Sequence, residues 1–458
     1  MPVETTAPGH IRLNSTGPEL RRVLGLRDLV LLIVGTVIGS GIFLVPSAVL
    51  HSVGNSVTVA LLVWVIGGFL SLLGALTYGE LSATKPEAGG LYIYIRDCFG
   101  GLAGFLFGWI LFFVVSTGSV ATLAVAFSNY LGGLIELKPW MAKVVSLLMI
   151  GVIAVVNVRG TRQSANLQNL TTAIKVAAIL AMAAGLLLFS HAVHPLKVAM
   201  PPSAGVGSIW AGFSTAMVSV LWAYEGWQYA TFTAGETIHP QRNFPLAFMS
   251  GIGILIGVYL LANLGYVAAL GADGVANSSR VAASALSTLS PVLARFVTLA
   301  ILISIFSAAH SITLTAPRVF YAMAKDGVFF QQLAQVHPQF GTPAFAILAA
   351  TVWASLLAIT GTFEQLLTYV VFVGWAFYAL AAASIFVYRK RKTAGTVYRV
   401  PGYPWTPSCF IAIVGLFVAN TIIHQPLRAF VGTAIVLTGV PAYFAWRRLA
   451  RVEDKSPH

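Results

Sequence analysis

An all-α protein that crosses the membrane many times is the fold class this sequence predicts, and three observations predict it. Of 458 residues, 57% are hydrophobic and 9% charged, with a mean hydropathy of +0.84, whereas soluble domains carry about 25% charged residues. Apolar runs long enough to span a bilayer follow one another along the chain, with no polar stretch between them long enough for a soluble domain. Lysine and arginine are also unevenly divided. Twelve spans, centred near residues 39, 70, 113, 149, 177, 221, 257, 306, 350, 376, 414 and 436, leave 20 Lys and Arg on the side of the N-terminus and 6 on the other. That positive-inside bias puts both termini in the cytoplasm of a multi-pass cell-membrane protein.

Met1 to Leu20 is polar and reads as a short disordered tail. The apolar run after it is too long for a cleavable signal and lacks a small-residue cleavage site. In that run lies Gly35-Thr36-Val37-Ile38-Gly39-Ser40-Gly41-Ile42-Phe43. Each glycine costs a continuous helix about 1 kcal/mol relative to alanine, so this stretch predicts either close helix packing of the small-xxx-small kind or a break at mid-membrane. A break frees carbonyls that can hold an ammonium, and N–H groups at a half-helix start that can hold a carboxylate.

Between the second and third spans, Tyr78-Gly79-Glu80-Leu81-Ser82 leads through Pro86, Gly89 and Gly90 to Tyr92, a tight cytoplasmic turn. Glu80 and Lys85 there read as an exposed pair of little energetic weight or as part of an inner gate. The fifth span, from about Ser164 to Ser190, contains Lys175. Eleven residues at about 1.5 Å each place its ammonium near mid-membrane. A lysine at that depth needs a polar partner and marks a functional site by default.

The sixth span carries a second interruption, Ser219-Val220-Leu221-Trp222-Ala223-Tyr224-Glu225-Gly226-Trp227, five spans after the first. Five spans per half insert the second half upside down, which predicts inverted repeats: helices 1–5 over residues 21–190 and helices 6–10 over 200–392. Helices 11 and 12 follow over 393–450, and a cytoplasmic tail over 451–458. Trp222 flanks the break, where a bulky ring can close over a bound solute; Tyr224 and Trp227 read as packing aromatics. In the eighth span, Ser307, His310, Ser311, Thr313 and Thr315 form a wet face, with Arg318 and Lys325 at its inner end.

Several classes are disfavoured. Cys98 and Cys409 make no disulfide framework. No lysine follows a glycine, so a Walker A loop is absent. His191 and His194 share one loop without further ligands, no catalytic pair or metal set stands out, and no cofactor is expected. The net charge of +13 reflects the cytoplasmic bias rather than a nucleic-acid partner.

Residues 35–43 resemble the first-span signature of the amino acid–polyamine–organocation superfamily, and Tyr78-Gly79-Glu80-Leu81 with Pro86, Gly89, Gly90 and Tyr92 resembles its loop signature. Trp222 to Trp227, with Glu236, Pro240, Arg242, Asn243 and Pro245, is similar to the L-type amino acid transporter branch. So is Arg318-Val319-Phe320-Tyr321 to Asp326-Gly327. The resemblance runs from about residue 20 to 400. It implies a LeuT-type fold with discontinuous helices 1 and 6, and sodium-independent transport of an amino acid, commonly by exchange. By similarity the substrate carboxylate meets the backbone of Gly39, Ser40 and Gly41. The ammonium meets carbonyls around Val37, Ile38, Trp222 and Ala223, and Glu225. Trp222 stands at an aromatic gate. Lys175 takes the place of sodium in coupled relatives, and donating to a carbonyl near Gly35 and to a hydroxyl such as Ser311 would let it hold the broken span. Animal members pair with a glycoprotein through a cysteine between spans three and four. Leu131 to Trp140 has none, so the resemblance implies a bacterial, stand-alone carrier without a disulfide-linked heavy chain.

The leading reading is exchange of neutral L-amino acids. Proton-coupled uptake, with Lys175 cycling its charge, and a cationic amino acid carrier centred on Glu225 are alternatives. A non-transporting sensor lacks a signalling domain beyond Arg447.

Overall fold

A computed structural model describes residues 19–190, 206–360, 363–391, 398–424 and 426–453. The chain before Glu19, the last five residues, and His191 and His194 lie outside the described residues. Eighteen α-helices follow in order: α1 (Leu26–Val37), α2 (Gly41–Ser52), α3 (Val57–Thr84), α4 (Leu91–Phe99), α5 (Gly101–Ile110), α6 (Ser116–Gly132), α7 (Pro139–Val158), α8 (Thr161–Phe189) and α9 (Val206–Ala223). Then come α10 (Pro240–Ala276), α11 (Val281–Ser287), α12 (Pro291–Thr315), α13 (Pro317–Lys325), α14 (Ala344–Thr360), α15 (Phe363–Lys390), α16 (Trp405–His424), α17 (Pro426–Leu437) and α18 (Gly439–Glu453). Among the described residues there is no strand, only a single parallel bridge between Leu24 and Thr237.

The helices start where the sequence allows. Proline occupies the first turn of α7, α10, α12 and α13, where its missing N–H is no loss. Ser290 caps α12 by accepting from the Val292 N–H at 3.2 Å. Eleven of the twelve span centres fall inside a helix, and the first, at residue 39, falls in the break between α1 and α2. By length and apolar composition, however, eight helices qualify as spans among the described residues, or nine if the bent pair α1 and α2 counts as one. Helix α14 is apolar but only 17 residues long. The fold is the LeuT type of polytopic helical transporter, with its first and sixth spans discontinuous. The α1–α2 pair bends by 51°, and α9 ends at Ala223, followed by a turn and a 3₁₀ helix over Trp227–Glu236.

One membrane face is tied by charge. Arg318 and Glu236, both fully buried, pair at 2.6 Å, and Thr161 bonds to both. Asp28 at the start of α1 accepts from Arg162 at 2.8 Å and Asn169 at 2.6 Å. Glu80 does not pair with Lys85. It is buried and takes a two-pronged contact from Arg389, at 2.8 and 2.6 Å, and the Val400 N–H at 2.6 Å. Lys85 reaches Glu87 instead. The reason is direction: Glu80 lies on the face of α3 turned toward α15, while Lys85 has already left the helix.

Candidate functional site

The first break leaves α1 at Val37 and resumes at Gly41. It needs partners, because freed carbonyls in a buried site cost about 1–3 kcal/mol each when unmade. Lys175 of α8, only 1% exposed, donates to the Gly35 and Ile38 carbonyls at 2.6 Å each. Ser304 of α12 donates to the carbonyls of Ile38 and Gly39 at 3.1 Å. Gly35 is required sterically, since a β-carbon there would collide with Gln168 and Thr172 of α8. The N–H groups of Gly39, Ser40, Gly41 and Ile42 find no acceptor among the described residues. They form the bare start of α2, which favours negative charge.

The second break holds itself. Gly226 sits at φ +123°, a conformation glycine adopts at little cost, and its N–H donates to Gln228 at 3.1 Å. The Glu225 N–H returns to the Trp222 carbonyl at 3.2 Å. Tyr259 of α10 joins the two breaks, its hydroxyl lying 2.9 Å from the Ala223 carbonyl and 3.3 Å from that of Val37.

Between the breaks is a cavity of about 180 Å³, smaller than the roughly 300–1,000 Å³ pockets that hold drug-sized ligands. Val37, Gly39, Ser40, Gly41, Trp222, Ala223 and Glu225 line it, together with Thr36, Gly226, Tyr229 and Tyr378. Glu225 accepts from the Tyr378 hydroxyl at 3.0 Å. Among the described residues, no other carboxylate and no lysine or arginine lines this cavity. A π-helical turn over Leu111–Val115 brings Val115 to the wall, its loosened carbonyls taken by Ser116 and Thr117 at 2.7 Å each.

Some expected site residues fall elsewhere. Ile38 is fully buried, does not line the cavity, and its carbonyl is already taken by Lys175 and Ser304. Ser311 is not a partner of Lys175; its hydroxyl is buried with none among the described residues. The wet face of the eighth span turns away from the cavity, to which α12 contributes Ala308 and Ile312. His310 and Ser307 meet Gln168 of α8 at 3.1 and 3.2 Å, and Thr313 and Thr315 bond back onto their own helix. Trp222 is 48% exposed at the rim, whereas Trp227 is buried against Tyr78, Phe248 and Phe410. Ser304, Tyr259 and Tyr378 carried no signal in the sequence, since lone hydroxyls in apolar helices more often bond locally.

Residues 24–444 match the amino acid permease family, AA_permease_2. The chain is 29% identical over 436 residues to the serine/threonine exchanger SteT of Bacillus subtilis, covering 94% of this chain and 98% of that one. It is 30% identical over 452 residues to the human large neutral amino acids transporter small subunit 2, covering 93% of this chain and 81% of that one. To the human cystine/glutamate transporter it is 29% identical over 451 residues, covering 96% and 87%.

Proposed function

The chain belongs to the amino acid permease family, and from that premise we propose that it exchanges neutral L-amino acids across the cell membrane by alternating access, without sodium. The observation that carries this reading is the polarity of the cavity. Bare N–H groups at the start of α2 face the carbonyl ends of α1 and α9. A zwitterion fits between them, carboxylate on Gly39, Ser40 and Gly41, ammonium on the carbonyls at Val37 and Ala223 and on Glu225. The relatives named for serine/threonine exchange and for large neutral amino acids support the same class.

Lys175 supplies in this reading what a bound cation supplies elsewhere: a positive charge on the carbonyls of the broken span. With the arginine-rich side in the cytoplasm, the buried Arg318–Glu236 contact and the part-buried Arg389–Glu80 contact close the inner side. The half-exposed Trp222 leaves the outer side open, poised to cover the substrate. Residues 21–190 and 200–392 form two inverted repeats that rock against each other. The carrier works without a heavy chain, since the loop after α6 offers no cysteine.

The test is counterflow in proteoliposomes. Labelled L-leucine or L-serine should enter only when unlabelled amino acid is inside, equally well in sodium and choline. Uptake into empty vesicles driven by a pH gradient would replace exchange with proton coupling. A second reading, a carrier of cationic side chains, draws on Glu225 as the one carboxylate among the described residues that line the cavity. Labelled L-arginine outrunning leucine, and losing that lead in Glu225→Gln, would favour it.

A further inference from the structure

A second cavity, of about 220 Å³, is stacked on the central one, at the end of the molecule away from the charged face. On α6, Ser119, Leu123 and Ala126 line the central cavity, and Tyr130, with Gly133 just past the helix end, lines the second. Spacings of three and four residues put all of these on one helix face. From Leu123 to Tyr130 is seven residues, a rise of about 10 Å. On α12 the step from Ala308, in the central wall, to Ile301, in the outer wall, is again seven. Helix α2 passes likewise from Gly41 to Phe43 and Leu44. Three helices thus run continuously from one cavity into the other.

The two cavities differ in charge. Among the described residues, the central one contains Glu225 and no cation, and the outer one contains Arg280 and no carboxylate. No described residue forms an ion pair with Arg280. Asn129, Tyr130 and Thr298 add neutral hydrogen-bonding groups around it. Phe43, Leu44 and Ile301 make the rest of the wall apolar. A guanidinium fork matches a carboxylate, and an apolar wall suits an uncharged side chain. We propose that this outer cavity is a second amino acid site, at which Arg280 holds the substrate carboxylate before it passes to the bare N–H groups of α2. The proposal rests on the transport reading above. Because Arg280 is exposed, the hold is weak and its use is capture: a zwitterion has no net charge to be drawn from afar, so the guanidinium acts at contact, holding the carboxylate at the mouth, and salt screens that contact.

The test uses the full chain with Cys98→Ser and Cys409→Ser, carrying Thr298→Cys, or Asn129→Cys if that variant folds poorly. Labelling of the introduced thiol by an anionic thiosulfonate reports on the outer cavity. L-leucine or L-serine should slow it about threefold or more, in the parent background and equally with Gly41→Leu, which fills the central cavity; Arg280→Gln should abolish the protection. Arg280→Gln should also raise the apparent KM of exchange about fivefold with kcat retained, and flatten its dependence on salt. Unchanged labelling in a protein that still exchanges amino acid overturns the outer site and leaves the transport reading standing. Neither protection nor exchange, with any amino acid, overturns both. Protection by glycerol 1-phosphate but not by amino acids assigns the cavity to a lipid headgroup and overturns the proposal.

Discussion

At the first break, the carbonyls of Gly35, Ile38 and Gly39 are held by Lys175 and Ser304, which come from α8 and α12. At the second, Gly226 is held by Gln228 two residues away, and the Trp222 carbonyl by the N–H of Glu225. One break is thus shaped by other helices and the other by its own turn. The first keeps its geometry only while α8 and α12 stay docked against it. The second keeps its turn by itself and is tied to α10 at the Ala223 carbonyl and to α15 at Glu225. Among the described residues, the bare N–H groups that line the cavity belong to the first, where donors from other helices satisfy carbonyls and nothing supplies an acceptor. A dependent break beside a self-contained one suits alternating access, since a change in helix docking alters one end of the cavity and leaves the other intact.

Lys175→Ala strikes the dependent break and carries the largest expected effect. Two charge-assisted hydrogen bonds worth about 1.5–3 kcal/mol each are lost, leaving the Gly35 carbonyl without a donor and the Ile38 carbonyl with Ser304 alone. Exchange in proteoliposomes should fall about 100-fold or more if that cost is borne in the transport cycle, while membrane expression falls less. Exchange at the parental rate would show that the first break does not depend on α8.

Gly226→Val tests the self-contained break. A side chain at φ +123°, with its β-carbon 3.1 Å from the Thr36 methyl, should cost about 1–3 kcal/mol and lower the Tm. Gly39→Ala, whose nearest contact would be 3.9 Å away, should leave the Tm nearly unchanged. Equal shifts from the two would erase the contrast.

Trp222→Ala and Trp227→Ala separate gating from packing on either side of the second break. The first should slow exchange about tenfold with little change in Tm, and the second should lower the Tm. A Tm loss shared by both would make Trp222 another packing residue. Tyr259→Phe is the mildest change. It removes one hydroxyl shared by both breaks, worth about 0.5–1.5 kcal/mol, and differential scanning fluorimetry should resolve that loss. No change would mean that the breaks are not coupled through α10.

Much of this was written in the order of residues. The helical fold follows from apolar runs of spanning length, and both breaks from glycines where a helix tolerates them poorly. Lys175 could be placed at depth by counting rises from Ser164. Other features were illegible. Ser311 reads as a neighbour of Lys175 on a wet face, yet that face meets Gln168, and the hydroxyl on the broken span belongs to Ser304. Periodicity gives the face of a helix, not the helix it faces. Glu80 likewise reads as Lys85's partner until α15 brings Arg389 across a separation of 309 residues.

The sequence by itself determined what is intrinsic to a segment: which stretches enter the bilayer, where each helix cannot continue, and that a cation lies buried among them. These follow from backbone cost and solvation, which act locally. The tertiary structure alone decided which carbonyls that cation holds, that a tyrosine on α10 bridges the breaks, and that two cavities of opposite charge share three helices. Those are set by the docking of elements far apart in the chain. Hydrogen bonds reach about 3 Å, so their partners are chosen only when packing has brought the helices together.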